Sequence, residues 1–147
     1  MKINLPVIDK EVTYGGSEQL ISTTDLKGII TFVNDGFVRV SGFSRDEMVG
    51  KSHNIVRHPD MPPGAFADLW STIKSGRSWK GVVKNRCKDG SYYWVDAFVS
   101  PITKNGETVG YQSVRTVLTP AARKRAEDLY ARWSKQDKKS APPLRKG

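Results

Sequence analysis

Apolar and polar positions divide the chain into two strand-rich blocks separated by a helical middle. Leu20-Ile21-Ser22-Thr23-Thr24-Asp25 and Gly28-Ile29-Ile30-Thr31-Phe32-Val33 are short β-branched runs joined by Asp25-Leu26-Lys27-Gly28, which predicts a hairpin. Asn34 is placed to cap a short helix carrying Phe37 and Val40 on one side, with Gly42 at its end. Ser44 and Glu47 make a capping-box pair for a single further turn that Gly50 stops. From Pro62 or Pro63 to Lys74, the residues Phe66, Leu69, Trp70 and Ile73 fall at i, i+3, i+4 and i+7, one face of a helix. That spacing assigns Trp70 to the core rather than to a ligand.

Three strands follow. Trp79 to Cys87 turns at Lys88-Asp89-Gly90 into Tyr92–Ile102, and Asn105-Gly106 turns that strand into Val109–Val117. Tyr93, Val95, Ala97 and Val99 share one face of the central strand; Tyr92, Trp94, Asp96 and Phe98 share the other. Both faces are rather apolar, so one packs on the core and the other on a cap or partner. Thr119-Pro120 opens a last helix with Ala122, Ala126, Leu129, Tyr130 and Trp133 on one stripe. The expected organisation is an N-terminal cap over 1–18, a folded unit over 19–118, and a flanking helix over 119–135. After Gln136 a Lys-, Pro- and Ser-rich linker is expected. The order β-β-α-α-α-β-β-β predicts an α+β fold: a five-stranded antiparallel sheet with its helices gathered on one face. Those helices close a cavity against the sheet, with residues 53–60 at its rim.

Composition narrows the class. At 147 residues the chain can bury a real core. No apolar run approaches the roughly 20 residues of a membrane span, and no apolar segment follows Met1, so neither a membrane helix nor a secretion signal is expected. Cys87 is the only cysteine, which excludes an internal disulfide and suits a reducing, cytoplasmic setting. With one Cys and two His only five positions apart, no metal site is expected. The net charge of +9 is mostly a property of residues 119–147, where nine Lys/Arg face three acids. Such a tail could touch nucleic acid or an anionic membrane surface. It carries no nucleic-acid motif, so a solvated helix and linker is the reading and no nucleic-acid partner is expected. There is no nucleophile elbow, P-loop or recognisable carboxylate pair, so no catalytic residues are assigned and the chain is not read as an enzyme.

The candidate chemistry concentrates in His53-Asn54-Ile55-Val56-Arg57-His58-Pro59-Asp60-Met61-Pro62-Pro63, which holds both histidines of the chain. Imidazole and amide groups suit ring heteroatoms, and an arginine suits phosphate or carbonyl oxygens, so a pocket for a large, flat, partly anionic ligand fits this mix. On these residues alone, an ordinary loop with solvated His and Arg is the favoured reading.

This run resembles the PAS domain of the bacterial aerotaxis receptor family. So do Ser22-Thr23-Thr24-Asp25-Leu26, Asn34-Asp35, Val40-Ser41-Gly42-Phe43, Ala65-Phe66-Ala67-Asp68-Leu69-Trp70, Trp79-Lys80-Gly81, Val83-Lys84-Asn85-Arg86 and Asp89-Gly90-Ser91-Tyr92-Tyr93-Trp94-Val95. The resemblance covers about residues 20–118. It implies a PAS fold that binds FAD noncovalently and relays redox or oxygen state in aerotaxis-type signal transduction. The partner is a HAMP unit or another signalling domain, in cis or in trans, and a homodimer is possible. It implies FAD contacts at Arg57, His58, Asp60 and Trp79, pocket positions at His53, Asn34 and Asn85, and a signalling surface at Tyr111. Asn85 and Trp79 are evenly spaced on one strand and so share a face. Asp60 would repel a phosphate, which leaves a ribose hydroxyl or a helix N-terminus for it. Asn34 serves both as helix cap and as a neighbour of the ring, and a plain core role competes at Trp79.

Flavin photoreceptors of the same fold require a cysteine in the segment equivalent to 53–58. None stands here, so a cysteinyl photoadduct is not expected. The family continues into a membrane anchor, a HAMP unit and a kinase-control coiled coil, none of which this chain contains; it is read as either an excised sensory fragment or a free-standing PAS protein. Two alternatives stand beside the flavin reading. One is a haem sensor with His53 or His58 as axial ligand. The other is a ligand-free interaction and dimerisation module.

Overall fold

The computed structural model describes residues 7–136; the linker expected after Gln136 lies outside them. The described chain runs β1 (Leu20–Thr24), β2 (Ile30–Val33), α1 (Asp35–Ser41), α2 (Arg45–Met48), a 3₁₀ turn (His53–Val56), α3 (Pro63–Lys74), β3 (Trp79–Arg86), β4 (Tyr92–Lys104), β5 (Glu107–Thr116) and α4 (Pro120–Gln136). The strands form one antiparallel sheet in the order β2-β1-β5-β4-β3. This is the expected α+β architecture, a five-stranded antiparallel sheet.

Local chemistry sets the boundaries. Asn34 caps α1 by accepting from the Phe37 N–H at 3.0 Å, and Gly42 closes it in the left-handed conformation. Ser44 and Glu47 satisfy each other's backbone N–H groups at the start of α2. Pro62 and Pro63 open α3, where missing N–H groups cost nothing. In the β1–β2 turn, Asp25 Oδ1 accepts from the N–H groups of Lys27 and Ile29, and Gly28 takes φ +84°, a left-handed value that glycine adopts without strain.

The inner face of the sheet, with Leu20, Val83, Tyr93, Val95, Ala97 and Val99, meets α1 to α3 through Phe37, Val40, Met48, Ala65 and Ile73, all buried. The outer face carries Tyr92 and Trp94, and both are buried as well. At this end β4 extends beyond β5. The chain before β1 takes the vacant place: Glu11 forms a parallel bridge with Tyr92, with backbone hydrogen bonds between Lys10, Tyr92 and Val12. Tyr14 adds a hydrogen bond to the Trp94 carbonyl at 2.8 Å. From α4, Ala126, Tyr130 and Trp133 are buried, and the Tyr130 hydroxyl donates to the Val82 carbonyl at 2.7 Å. Arg123 of the same helix pairs with Glu11 at 2.6 Å. Leu129, expected on the buried stripe, is 39% exposed, because the face that packs is centred one helical step away on Ala126, Tyr130 and Trp133. Among the described residues, no helix is long and apolar enough to cross a membrane.

β1 and β5 approach very closely at Gly110, where an added Cβ would stand 2.2 Å from the Thr24 carbonyl oxygen. Gly110→Ala must therefore push β5 off β1, and it is expected to lower stability by about 1–3 kcal/mol, the scale of an overpacked site. Urea unfolding checks this; an unchanged midpoint would show that the strands part without cost.

Candidate functional site

Between the inner face and α3 lies a cavity of about 290 Å³. Its apolar walls come from Val56, Phe66, Leu69, Ile73, Val83, Ala97 and Val99, and its polar groups from Ser22, His53, Asn85, Ser113 and Arg115. Lys27 and Arg57 also line it, so it meets three strong cations and, among its lining residues, no carboxylate. The volume sits at the lower end of ordinary ligand pockets, the right size for a ring system with its substituents reaching outward.

Arg115 dominates one end. It is 3% exposed, yet its hydrogen bonds go to neutral acceptors: the Leu20 carbonyl at 3.2 Å, Ser22 Oγ at 3.1 Å and His53 Nε2 at 2.5 Å. Its guanidinium also lies 4.7 Å from the centre of the Phe37 ring. Burial lowers its pKa to about 10, which leaves it charged at neutral pH. His53 is the complement. Burial, reinforced by the Arg115 charge, lowers its pKa to about 3, and because a guanidinium can only donate, Nε2 is the unprotonated nitrogen.

Trp70 closes another side. Its ring packs on Gly28, where an added Cβ would come within 2.9 Å of it, and stands edge-on to Tyr111 with ring centres 5.8 Å apart. The helical spacing assigned Trp70 to the core; it is part of the cavity wall. Tyr111, expected on a signalling surface, is 6% exposed and faces the same cavity, because its alternation on β5 points it inward with Ser113 and Arg115. Arg57 lies across the Phe66 ring at 4.0 Å, and its backbone bridges to Asn85 of β3.

Of the residues expected to contact a ligand, Arg57, His53 and Asn85 line the cavity, whereas His58, Asp60, Trp79 and Asn34 do not. Arg57 bridges to Asn85 at the edge of β3, and the chain then turns through Pro59 and Asp60, with the Met61 N–H donating to the His58 carbonyl at 3.1 Å. His58 lies outside the cavity. It is buried edge-on to Tyr92, and its Nδ1 accepts from the Asp60 N–H at 3.0 Å. Burial, helped by Lys84, lowers its pKa to about 4. The exposed Asp60 pairs with Lys84 at 2.9 Å, which more than offsets the upward pull of burial on its carboxyl and leaves its pKa lowered. Trp79 shares the inner face with Asn85 as expected, but its ring covers Gly81 and its Nε1 donates to the buried Asp68 of α3 at 3.0 Å. The Asn34 side chain is occupied by Phe37 N, Ile21 N and the Gln19 carbonyl. Neither histidine suits an axial haem ligand: His53 Nε2 faces the Arg115 guanidinium, and His58 lies outside the cavity.

Arg115, Ser22, Trp70, Lys27 and Phe66 also line the cavity, and none of them was assigned to a ligand from the sequence. For Arg115 a signal existed, since it stands four residues after Tyr111 on the same strand face.

The chain matches the PAS fold family over residues 30–115. It is similar to the aerotaxis receptor of Escherichia coli (strain K12), 51% identical over 111 residues, which are 76% of this chain and 22% of that protein. It is also similar to the bacterioopsin transcriptional activator of Halobacterium salinarum, 32% identical over 60% of this chain and 13% of that one. The chain thus spans about a fifth or less of these relatives. Among solved structures, a Light-Oxygen-Voltage domain described with a flavin analogue superposes with a TM-score of 0.68 at 21% identity, over 77% of this chain and 87% of that one. The light state of the blue-light photoreceptor Aureochrome1 LOV gives 0.68 at 22% identity, over 77% and 92%.

Two predictions follow from these placements. Both histidines have folded-state pKa values below 6.5, so the unfolded chain takes up protons that the folded chain refuses. Stability is therefore complete above about pH 6.5 and falls as the pH drops toward 4 for His58 and 3 for His53, by on the order of 1–2 kcal/mol each at pH 5. Thermal melts from pH 7.5 to 5 should show this slope, and His53→Gln should reduce it; a flat profile would contradict the neutral assignment. Trp79→Phe removes the indole donor from Asp68 and should cost about 1–3 kcal/mol while leaving ligand affinity within about twofold. A large loss of affinity with unchanged stability would place Trp79 at the ligand instead.

Proposed function

The chain belongs to the PAS fold family as a PAS domain of the aerotaxis-receptor type, and on that premise we propose that its cavity binds FAD noncovalently and that the domain reports the flavin's redox state to a signalling partner. The observation that carries this reading is the lining: apolar walls, three side-chain amides, a neutral imidazole and three cations, with no carboxylate among the lining residues. Such a lining suits a flat heterocycle with carbonyl edges and an anionic tail. The flavin analogue named for the similar Light-Oxygen-Voltage domain supports the ligand class, and the aerotaxis receptor supports the role.

A bound flavin supplies a ring whose charge and protonation follow its electron supply. The protein holds fixed groups around that ring. Asn85 offers an amide to its polar edge, and Arg115 holds a positive charge at one end without a counter-ion in its hydrogen-bond set. His53 stays neutral at ordinary pH and does not compete for added negative charge. Arg57, at the rim, has the planar fork that suits a pyrophosphate, and Trp70 with Tyr111 excludes water beside the helix. Arg115 would answer added negative charge in the cavity at the expense of its hydrogen bonds to Leu20 and Ser22, both on β1. That shift loads the β1–β5 pairing and, through β4 and β3, the packing of Tyr92, Trp94 and α4. The partner, a HAMP unit or another signalling domain, reads the displacement of α4 or of the chain before β1. A typical coupling between sites, about 1–3 kcal/mol, is enough.

The purified protein is expected to be yellow, with flavin absorption bands, and to release FAD on heating, identified by chromatography. Arg115→Met and Arg57→Ala should each weaken FAD retention by about tenfold or more, the scale of one charge-assisted hydrogen bond. A Soret band, or a colourless protein that takes up no added FAD, would overturn the reading.

A further inference from the structure

Tyr93 stands on the inner face of β4, fully buried, and its hydroxyl has no hydrogen-bond partner of good geometry. Directly opposite in the β3–β4 register is Asn85, which lines the cavity. Opposed residues on one sheet face have Cβ atoms about 4.5–5.5 Å apart, so the phenol reaches past the amide. The other groups near the hydroxyl offer it little. Arg115 can only donate. The Tyr14 hydroxyl, on a ring edge-on to Tyr93, is committed to the Trp94 carbonyl, and the Cys87 thiol donates to the Val40 carbonyl at 3.3 Å. Burial raises the Tyr93 pKa, so the phenol keeps its proton and remains a donor. Of these neighbours, Asn85 is the one whose side-chain oxygen is a suitable acceptor.

We propose that Tyr93 is a positioning residue for Asn85: its O–H donates to Asn85 Oδ1 and turns the amide so that Nδ2 faces the cavity. An asparagine with nothing to orient it presents either end to a ligand. With Tyr93 behind it, the β3 side of the cavity presents a donor and selects a ligand carrying a carbonyl oxygen there over one presenting an N–H. The ligand's identity rests on the flavin reading given above; the amide's orientation does not.

Tyr93→Phe removes one oxygen and keeps the ring and its contact with Tyr14. An idle buried hydroxyl predicts a neutral or higher thermal midpoint with binding untouched, because its loss relieves an unsatisfied group. The positioning role predicts a lower midpoint in the ligand-free protein, because Asn85 Oδ1 loses its donor, together with about tenfold weaker FAD binding, the scale of one hydrogen bond. The carbonyl stretch of the bound flavin should move to higher frequency as the Asn85 hydrogen bond weakens. The double variant Tyr93→Phe/Asn85→Ala should bind no worse than Asn85→Ala alone, because the two residues act as one; additive losses, or unchanged affinity in Tyr93→Phe, would overturn the proposal. A ligand-independent measurement separates it from the flavin reading. In protein free of FAD, the Asn85 side-chain carbonyl carbon should resonate as hydrogen-bonded in the wild type and move toward the free position in Tyr93→Phe. If the wild type takes up no FAD, the flavin reading falls and this resonance alone decides the positioning role: the same position in both proteins refutes it.

Discussion

A guanidinium buried among neutral acceptors is the constraint from which the interior takes its form. Arg115 enters from β5, and what it touches comes from everywhere else: a carbonyl and a hydroxyl from β1, an imidazole from the 3₁₀ turn, an aromatic face from α1. Moving a charge out of water is costly unless donors and acceptors are already arranged to receive it. The β1–β5 register sets Leu20 opposite Arg115, which brings its carbonyl within reach. His53 can accept only because its own proton is elsewhere. The positions of β1, the turn and α1 are thus fixed by one another at this end of the cavity, and the cavity inherits its charge from that arrangement.

The elements were legible in the sequence because they are written locally. Caps at Asn34 and Ser44, prolines at the head of α3, and turn residues at Gly90 and Asn105-Gly106 each specify a boundary within a few residues. The cavity was legible only in part, since a motif in sequence is not a cluster in space. Arg57, His58 and Asp60 read as one ligand-binding group, but the chain bridges to β3 at Arg57 alone and then turns through Pro59 and Asp60. That path leaves Arg57 at the cavity and puts His58 against Tyr92. Trp79 has the inward orientation its spacing implied, yet Asp68 holds its indole at the helix instead of at the cavity. Trp70 errs in the other direction: helical periodicity marks a residue as facing the sheet, but it cannot say whether protein or empty space lies between. Arg115 was missed because a lone arginine in a strand usually points to solvent, and only the inward phase of Tyr111 and Ser113 says otherwise.

The sheet has work on both faces. Inside, it bounds the cavity; outside, Tyr92 and Trp94 are roofed by the chain before β1, and Val82 is held by Tyr130 of α4. β4 contributes to both with alternate residues, so a shift on one side of that strand has nowhere to be absorbed without being felt on the other. Close packing makes this transmission a general property of such interiors, and here the two sides carry the ligand groups and the flanking segments respectively.

The pairing of Arg123 with Glu11 joins residues 112 positions apart, and its meaning is clearest in the language of polymer loops. A contact across so long a stretch closes nearly the whole described chain into a ring. The entropy of closing a loop grows only with the logarithm of its length, so once the strands have folded and brought the ends near, the last contact adds little further cost. The converse also holds. Opening the tie leaves each flank on its own remaining contacts, the backbone bonds of Lys10 and Val12 to Tyr92 and the Tyr130 bond to Val82, while the strands stay paired. The two ends of the domain are therefore anchored separately and joined to each other by this one tie.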